Sequence, residues 1–258
     1  MKKFLVLAYG VAVYVFFFVT FLYAIGFVGD LFVPKNIDNG PLSSTTGAII
    51  IDLLLLGLFA IQHSVMARMG FKRVMTKLIA WHIERSTYVL AATICLAVLM
   101  WQWRPIPGIV WQVQNPTGVL ALQALYLLGW LGILISTFLI NHFDLFGLHQ
   151  AYRYFRGEPL KPIPFKTPAL YKMVRHPIYL CFLVSFWAAP TMTAGHLLFS
   201  VMTTGYIFVG IFFEERDLVH HYGEQYRKYR QMVPMIIPWF FRRASQPTDE
   251  PKKMRGAA

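Results

Sequence analysis

Apolar residues in this chain run in blocks too long for an ordinary soluble core. Phe4 to Val28, Thr46 to Ala67, Ser86 to Trp103 and Val119 to Ile140 each read as a bilayer-crossing helix, which takes about 20 largely apolar residues. A closing pair follows. Ile178 to Pro190 is short and Gly195 to Phe213 spans comfortably, with Thr191-Met192-Thr193-Ala194 between them read as a tight turn. The pattern predicts an all-α, polytopic integral membrane bundle of about six spans. The last two form a helical hairpin, and the fifth span is tilted, kinked near Pro190 or incomplete.

Composition agrees with a membrane solvent, because 57% of residues are hydrophobic and only 14% charged, where soluble domains carry about 25% charged residues. The polar connections then orient the bundle. Of the 24 Lys and Arg, only Lys35 and Arg104 fall in the two loops on one side; the rest lie with the N-terminus, in the Arg68 to Arg85 and Asn141 to Pro177 connections, or after Glu215. Positive loops stay cytoplasmic, so both termini and the feet of the closing hairpin are expected there. The net charge of +12 is juxtamembrane and not gathered in a basic domain. It therefore fits a lipid surface, and no nucleic-acid partner is expected.

The first apolar run is longer than a signal-peptide core and lacks a small-residue cleavage site, so it reads as the first span. Cys95 and Cys181 fall inside predicted spans and imply neither a disulfide framework nor a thiol metal site. Residues 1–244 are expected to form one transmembrane domain. Within it, Pro234 to Phe241 is too short and proline-rich to span, and is expected at the interface with Arg242 and Arg243 on headgroups. Ser245 to Ala258 is polar and charged, and is expected to be a disordered cytoplasmic tail.

Chemistry-bearing residues concentrate at the cytoplasmic ends. Asn141 to Gln150 packs His142, Asp144, His149 and Gln150 together with Phe146. Two histidines seven apart, with no second carboxylate or cysteine nearby, make a poor metal set, so no metal is expected and pocket lining or interfacial packing remain. Arg175-His176-Pro177-Ile178-Tyr179 opens the fifth span and Glu214-Glu215 closes the sixth. A hairpin returns both feet to one face, which sets a cationic and aromatic cluster opposite two carboxylates. Such a pocket suits a zwitterion. Leu218, Tyr222, Tyr226 and Tyr229 recur at helical spacing opposite Arg227, Lys228 and Arg230, as in a surface-lying amphipathic helix that caps the pocket.

Tyr171-Lys-Met-Val-Arg175-His176-Pro177-Ile-Tyr179, Glu214-Glu215-Arg216-Asp217-Leu218 and Tyr222-Gly-Glu-Gln-Tyr226-Arg-Lys-Tyr229 resemble the C-terminal core of the isoprenylcysteine carboxyl methyltransferase superfamily. Gln62-His63-Ser64-Val65-Met66-Ala67-Arg68, Glu84-Arg85-Ser86-Thr87-Tyr88, His142-Phe143-Asp144-Leu145-Phe146-Gly147-Leu148 and Phe186-Trp187-Ala188-Ala189-Pro190 extend the likeness to the nurim-related bacterial branch. One departure is Cys181, where the wider superfamily has glycine.

The resemblance implies an enzyme of the bacterial inner membrane that carries a methyl group from S-adenosylmethionine to methanethiol, giving dimethyl sulfide. Its donor-binding core is then 141–230, open to the cytoplasm. Arg175 is the candidate for the donor carboxylate, Glu214 or Glu215 for its ammonium or ribose hydroxyls, and Tyr179 or Phe146 for adenine or the sulfonium. Tyr171, His176 and Gln150 complete the expected donor pocket. The thiolate is the reactive acceptor, so a base is expected among His149, His142 and His176, with His63 deeper in the second span. Another thiol, a prenylcysteine or a lipid as acceptor, or a structural membrane protein without catalysis, are the competing readings.

Overall fold

The computed structural model describes residues 1–160 and 164–238. The chain opens with α1 (Lys2–Gly29) and α2 (Thr45–Ala67), followed by the short amphipathic α3 (Met69–Leu78) and by α4 (Trp81–Gln102). A strand β1 (Ile109–Gln112) leads into α5 (Pro116–Ile140). Two short helices, α6 (His142–Leu145) and α7 (Leu148–Arg156), precede α8 (Leu170–Met173) and α9 (Pro177–Trp187). Strand β2 (Thr191–Thr193), α10 (Ala194–Tyr222) and α11 (Glu224–Met232) complete the order.

Local chemistry sets the helix starts. The Ser44 hydroxyl accepts from the Gly47 amide at the head of α2, and Asn115 accepts from Thr117 and Gly118 ahead of Pro116 in α5. Thr193 accepts from His196 in α10. Each cap satisfies amides that have no partner within the helix.

Five helices, α1, α2, α4, α5 and α10, are long and apolar enough to cross a membrane. Their outward faces carry exposed Val15, Leu22, Leu54, Ile61, Leu128, Leu131, Val209 and Phe212. An apolar exterior of this kind marks an integral membrane protein of mostly helical build. The interior is aromatic, with Phe27, Trp103, Tyr126, Trp130, Phe186 and Phe199 in one buried cluster.

At the end of the bundle where α4 stops and α5 starts, two strands depart from the all-helical expectation. Thr191 to Thr193 is not a simple tight turn: it pairs antiparallel with β1, Ile109 facing Thr193 and Gln112 facing Thr191. The Trp111 indole donates to the Ala189 carbonyl at 3.1 Å and the Val113 amide to Pro190 at 2.8 Å. The reason is backbone satisfaction. α9 ends at Trp187, ahead of Pro190, and the carbonyls and amides freed beyond it find partners on β1.

The fifth expected span is 11 residues long as α9, or about 16 Å of helix. It is held tightly against α5. Gly129, Gly132 and buried Ser136 on α5 face Cys181 and Ser185 on α9, and a Cβ on Gly132 would lie 2.6 Å from the Cys181 sulfur. Small residues on facing turns allow this backbone approach, as in membrane helix pairs. Cys181 is thus matched by a glycine across the interface.

Arg242, Arg243 and the tail from Ser245 lie outside the described residues, as does the end of the proline-rich run beyond Pro238.

Candidate functional site

Pro177 starts α9, and the two residues before it leave the helical path, so Arg175 and His176 project from its foot toward α10. The Arg175 guanidinium donates through Nε to Glu215 Oε1 at 2.7 Å. Its Nη1 donates to the carbonyls of Arg230 at 2.9 Å and Val233 at 2.7 Å. His176 Nε2 lies 3.1 Å from the same Glu215 oxygen, and Arg230 Nε lies 3.2 Å from the other. Backbone bonds from Arg175 to Pro234 and from His176 to Met235 tie the segment after α11 to this foot. The side chains of Arg175 and Glu215 are each only 10% exposed, so the pair is mutually compensated inside a protected crevice.

Glu214 contrasts with its neighbour. It faces His176 Nδ1 at 3.9 Å, beyond hydrogen-bond reach, and its Oε2 is buried with no hydrogen-bond partner among the described residues. Phenols surround it. Burial, and then the Glu214 charge, raise the Tyr171 phenol; burial followed by Glu215 and Glu214 raises Tyr226. Burial pushes the Tyr229 phenol up to about 12, and it stays a donor, on the Tyr171 carbonyl at 2.5 Å. Tyr179 lies within interaction range of Glu214, and its ring centroid is 5.6 Å from that of His176. The buried Tyr226 hydroxyl also lacks a partner among the described residues. Beside the network, Arg175, Arg227, Arg230 and Gln231 line a cationic groove of about 340 Å³.

Six expected donor-pocket residues, Tyr171, Arg175, His176, Tyr179, Glu214 and Glu215, therefore come together. The other expected residues form a second cluster against α1 and α4. His142 is buried, stacks on Phe138 at 4.1 Å, and bonds Tyr14 through Nε2 at 2.9 Å and Thr137 through Nδ1 at 2.8 Å. Thr137 already donates to the Leu134 carbonyl, so it accepts from Nδ1–H and Tyr14 donates to Nε2. Burial holds this imidazole below its ordinary pKa, which suits the neutral form. His149 donates from Nδ1 to Asp144 at 2.5 Å and accepts from Arg153 at 2.9 Å. Both histidines thus have both nitrogens engaged by protein.

Phe146 stacks on Phe17 at 3.9 Å, and Gln150 reaches the Asp144 carbonyl while its Oε1 is buried without a partner among the described residues. Gly147 makes the turn between α6 and α7 at φ +81, where a Cβ would meet the Ser86 amide at 2.6 Å. That contact seats α7 under α4.

Sequence reasoning placed Arg230 on the polar face of a surface helix; its role as the second guanidinium partner of Glu215 was missed. The available signal was its position beside Tyr229, at the edge of the aromatic stripe. The partners of His142, which come from α1 and α5, left no local signal.

Chemically, the first cluster offers an uncompensated carboxylate oxygen beside a stretch of guanidinium groups. It can receive an ammonium or hydroxyl at one end and a carboxylate at the other. No group of three or more His, Cys, Asp or Glu suited to a metal occurs among the described residues.

No family model and no solved structure matches the chain. Among characterised relatives, it is 57% identical over 237 residues to methanethiol S-methyltransferase 1 of Bradyrhizobium diazoefficiens, covering 92% of this chain and 83% of that one. It is 54% identical over 239 residues to the methanethiol S-methyltransferase of Mycobacterium tuberculosis, covering 93% and 98%. Nurim of Xenopus laevis is 32% identical over 166 residues, or 61% of this chain and 58% of its own. Identity above one half along nearly the whole of two such relatives settles the family: the chain belongs to the methanethiol S-methyltransferases, in the nurim-related branch.

Proposed function

We propose that this protein methylates methanethiol with S-adenosylmethionine as donor, releasing dimethyl sulfide and S-adenosylhomocysteine. The relatives' names supply the acceptor. One observation carries the donor site: Glu214 keeps a buried oxygen with no hydrogen-bond partner among the described residues, beside a network in which Glu215 is saturated. A buried acceptor of this kind costs about 1–3 kcal/mol if left unmade, so it is expected to meet a ligand donor. The donor set fits the amino-acid end of S-adenosylmethionine. Glu214 would hold its ammonium or its ribose hydroxyls, and the groove of Arg175, Arg227 and Arg230 its carboxylate. Tyr179 presents an aromatic face at the same foot.

When bound, S-adenosylmethionine supplies an electrophilic methyl group on a sulfonium. The residues of the chain position and protect. Arg175 and Glu215 fix the foot of α9 against α10, α11 covers them, and the bundle keeps water from the path of attack. Positioning of this sort accounts for much of the rate in a direct displacement.

We further read the chain as crossing six times with both termini cytoplasmic, in a bacterial inner membrane. The tip of the closing hairpin pairs with the strand between α4 and α5, so residues 177–190 pass from one end of the bundle to the other. Helix α9 supplies about 16 Å of that path, and an inverse γ-turn at Ala188, with the Ala189 amide on the Trp187 carbonyl at 2.9 Å, follows it. Residues 1–244 act as one domain, with the donor core in 141–230 and the segment 245–258 outside it.

Glu214→Gln is expected to weaken S-adenosylhomocysteine binding about 10- to 100-fold, the loss of a charge-assisted hydrogen bond, while leaving the unfolding temperature in detergent near wild type. Titration calorimetry reads the affinity, and undiminished binding removes Glu214 from the site. Acceptor choice is tested by giving the purified protein S-adenosylmethionine with methanethiol, a long-chain alkyl thiol or a prenylcysteine. Turnover should be highest with methanethiol; preference for the prenylcysteine would replace a small-thiol enzyme with a lipid-directed one.

A further inference from the structure

A second polar cluster lies deeper, joining α2 to α4 and to α10. His63, about one turn from the cytoplasmic end of α2, stacks on Phe59 with ring centroids 5.3 Å apart. The Tyr88 hydroxyl of α4 lies 3.1 Å from both ring nitrogens. A hydroxyl placed equally between two nitrogens engages one well at most. The other nitrogen has no further partner among the described residues. Next in the chain, Ser64 bonds the Tyr206 hydroxyl of α10 at 3.2 Å, and Gln62 Oε1 is buried without a partner among the described residues.

Tyr179, at the donor end, lies within electrostatic range of Tyr88 and Tyr206 of this cluster and of Glu214. The charges acting on His63 are both cationic. Arg85 sits 5.1 Å over the Tyr88 ring, and Arg68 pairs with Asp217 at 2.9 Å. An imidazole with an open nitrogen, phenolic donors and two guanidinium groups together suit the generation of an anion in an apolar setting. His142 and His149 lack the open nitrogen, and His176 faces two carboxylates at the donor end.

We propose that the acceptor thiol binds at this cluster and that His63 takes its proton. The inference rests on the methanethiol reading above. The S–H bond breaks heterolytically: Tyr88 accepts from the N–H of one His63 nitrogen, the proton goes to the other, open nitrogen, and the electron pair stays on sulfur, where Arg85 and Arg68 stabilise the thiolate. That pair forms the new S–C bond to the methyl group as the donor S–C bond breaks, and the breaking pair returns to the donor sulfur as a neutral thioether. The His63 proton then passes to cytoplasmic water, so one proton is released per turnover.

The test compares His63→Gln and Tyr88→Phe with wild type in detergent, reading dimethyl sulfide production and S-adenosylhomocysteine affinity. His63→Gln should cut turnover at neutral pH about 100-fold with donor affinity unchanged. Its rate should climb about tenfold per pH unit as solution supplies the thiolate, and the more acidic 2,2,2-trifluoroethanethiol should narrow the gap to wild type. Wild-type turnover in His63→Gln, or a defect that neither pH nor the acidic thiol relieves, overturns the assignment. If His63→Gln does not fold, Tyr88→Phe decides: a roughly tenfold loss supports the acceptor site and full activity overturns it. A wild-type protein that binds donor and makes no dimethyl sulfide overturns the parent reading and the base assignment with it, an outcome distinct from an active wild type with an unaffected His63→Gln.

Discussion

Arg175→Met is expected to destabilise the folded protein by about 1–3 kcal/mol, because it removes the shortest of the contacts to a buried carboxylate and takes a charged donor from two backbone carbonyls. Glu215 would keep His176 and the half-exposed Arg230 but lose the 2.7 Å bond from Nε. The carbonyls of Arg230 and Val233 would lose their donor as well, which leaves the backbone bonds to Pro234 and Met235 to hold the segment after α11 on the foot of α9. The double variant Arg175→Met/Glu215→Leu should regain part of that stability, since both buried charges are gone, yet still bind S-adenosylhomocysteine poorly. Thermal unfolding in detergent, with calorimetry on the same samples, separates the two effects. A double variant no more stable than the single one would mean that the carbonyl contacts dominate over the ion pair.

Gly129→Val should be at least as severe. A Cβ at this position would lie 2.9 Å from the Cys181 carbonyl oxygen and 3.1 Å from the Ser185 amide nitrogen. Both are backbone atoms, so no rotamer change relieves the contact and α9 must shift as a body. Overpacking costs about 1–3 kcal/mol where side chains can adjust, and this substitution should exceed that. Displacing α9 also moves His176 and Tyr179 away from α10, so donor binding should fall together with stability. Gly132→Ala is the informative contrast, because its nearest neighbour is the Cys181 sulfur at 2.6 Å, which can turn. Cys181→Gly should rescue Gly132→Ala and leave Gly129→Val unrescued. Equal rescue of both would show that the interface is not limited by backbone contact at Gly129.

The contrast between these two sites reflects what could be read from the chain. Apolar block lengths located α1, α2, α4, α5 and α10, since membrane solvation imposes length directly on sequence. The hairpin feet were legible for the same reason: Arg175, His176, Glu214 and Glu215 are costly at a membrane boundary unless paired. How they pair was not legible. Whether Arg175 meets a ligand or Glu215 depends on how α9 sits in the bundle, and its seating on α5 is set by Gly129, Gly132, Cys181 and Ser185, which leave no trace near the charges.

The strand pair escaped notice because Thr191 to Thr193 is too short to show alternation and its partner, Ile109 to Gln112, lies about eighty residues earlier. His142 and His149 read as candidate bases because sequence shows which groups titrate and not what already occupies them. Their partners, Tyr14 and Thr137 for the one and Asp144 and Arg153 for the other, are found only in three dimensions.

The most direct test of the central claim is a turnover measurement with S-adenosylmethionine carrying a deuterated methyl group. Purified protein in detergent is sealed with this donor and methanethiol, and headspace dimethyl sulfide is measured by mass spectrometry beside S-adenosylhomocysteine in solution. The account predicts dimethyl sulfide bearing one deuterated methyl group, formed one for one with S-adenosylhomocysteine and strongly reduced in Glu214→Gln. Donor consumption without labelled dimethyl sulfide, or labelled product at wild-type rate from Glu214→Gln, would contradict it.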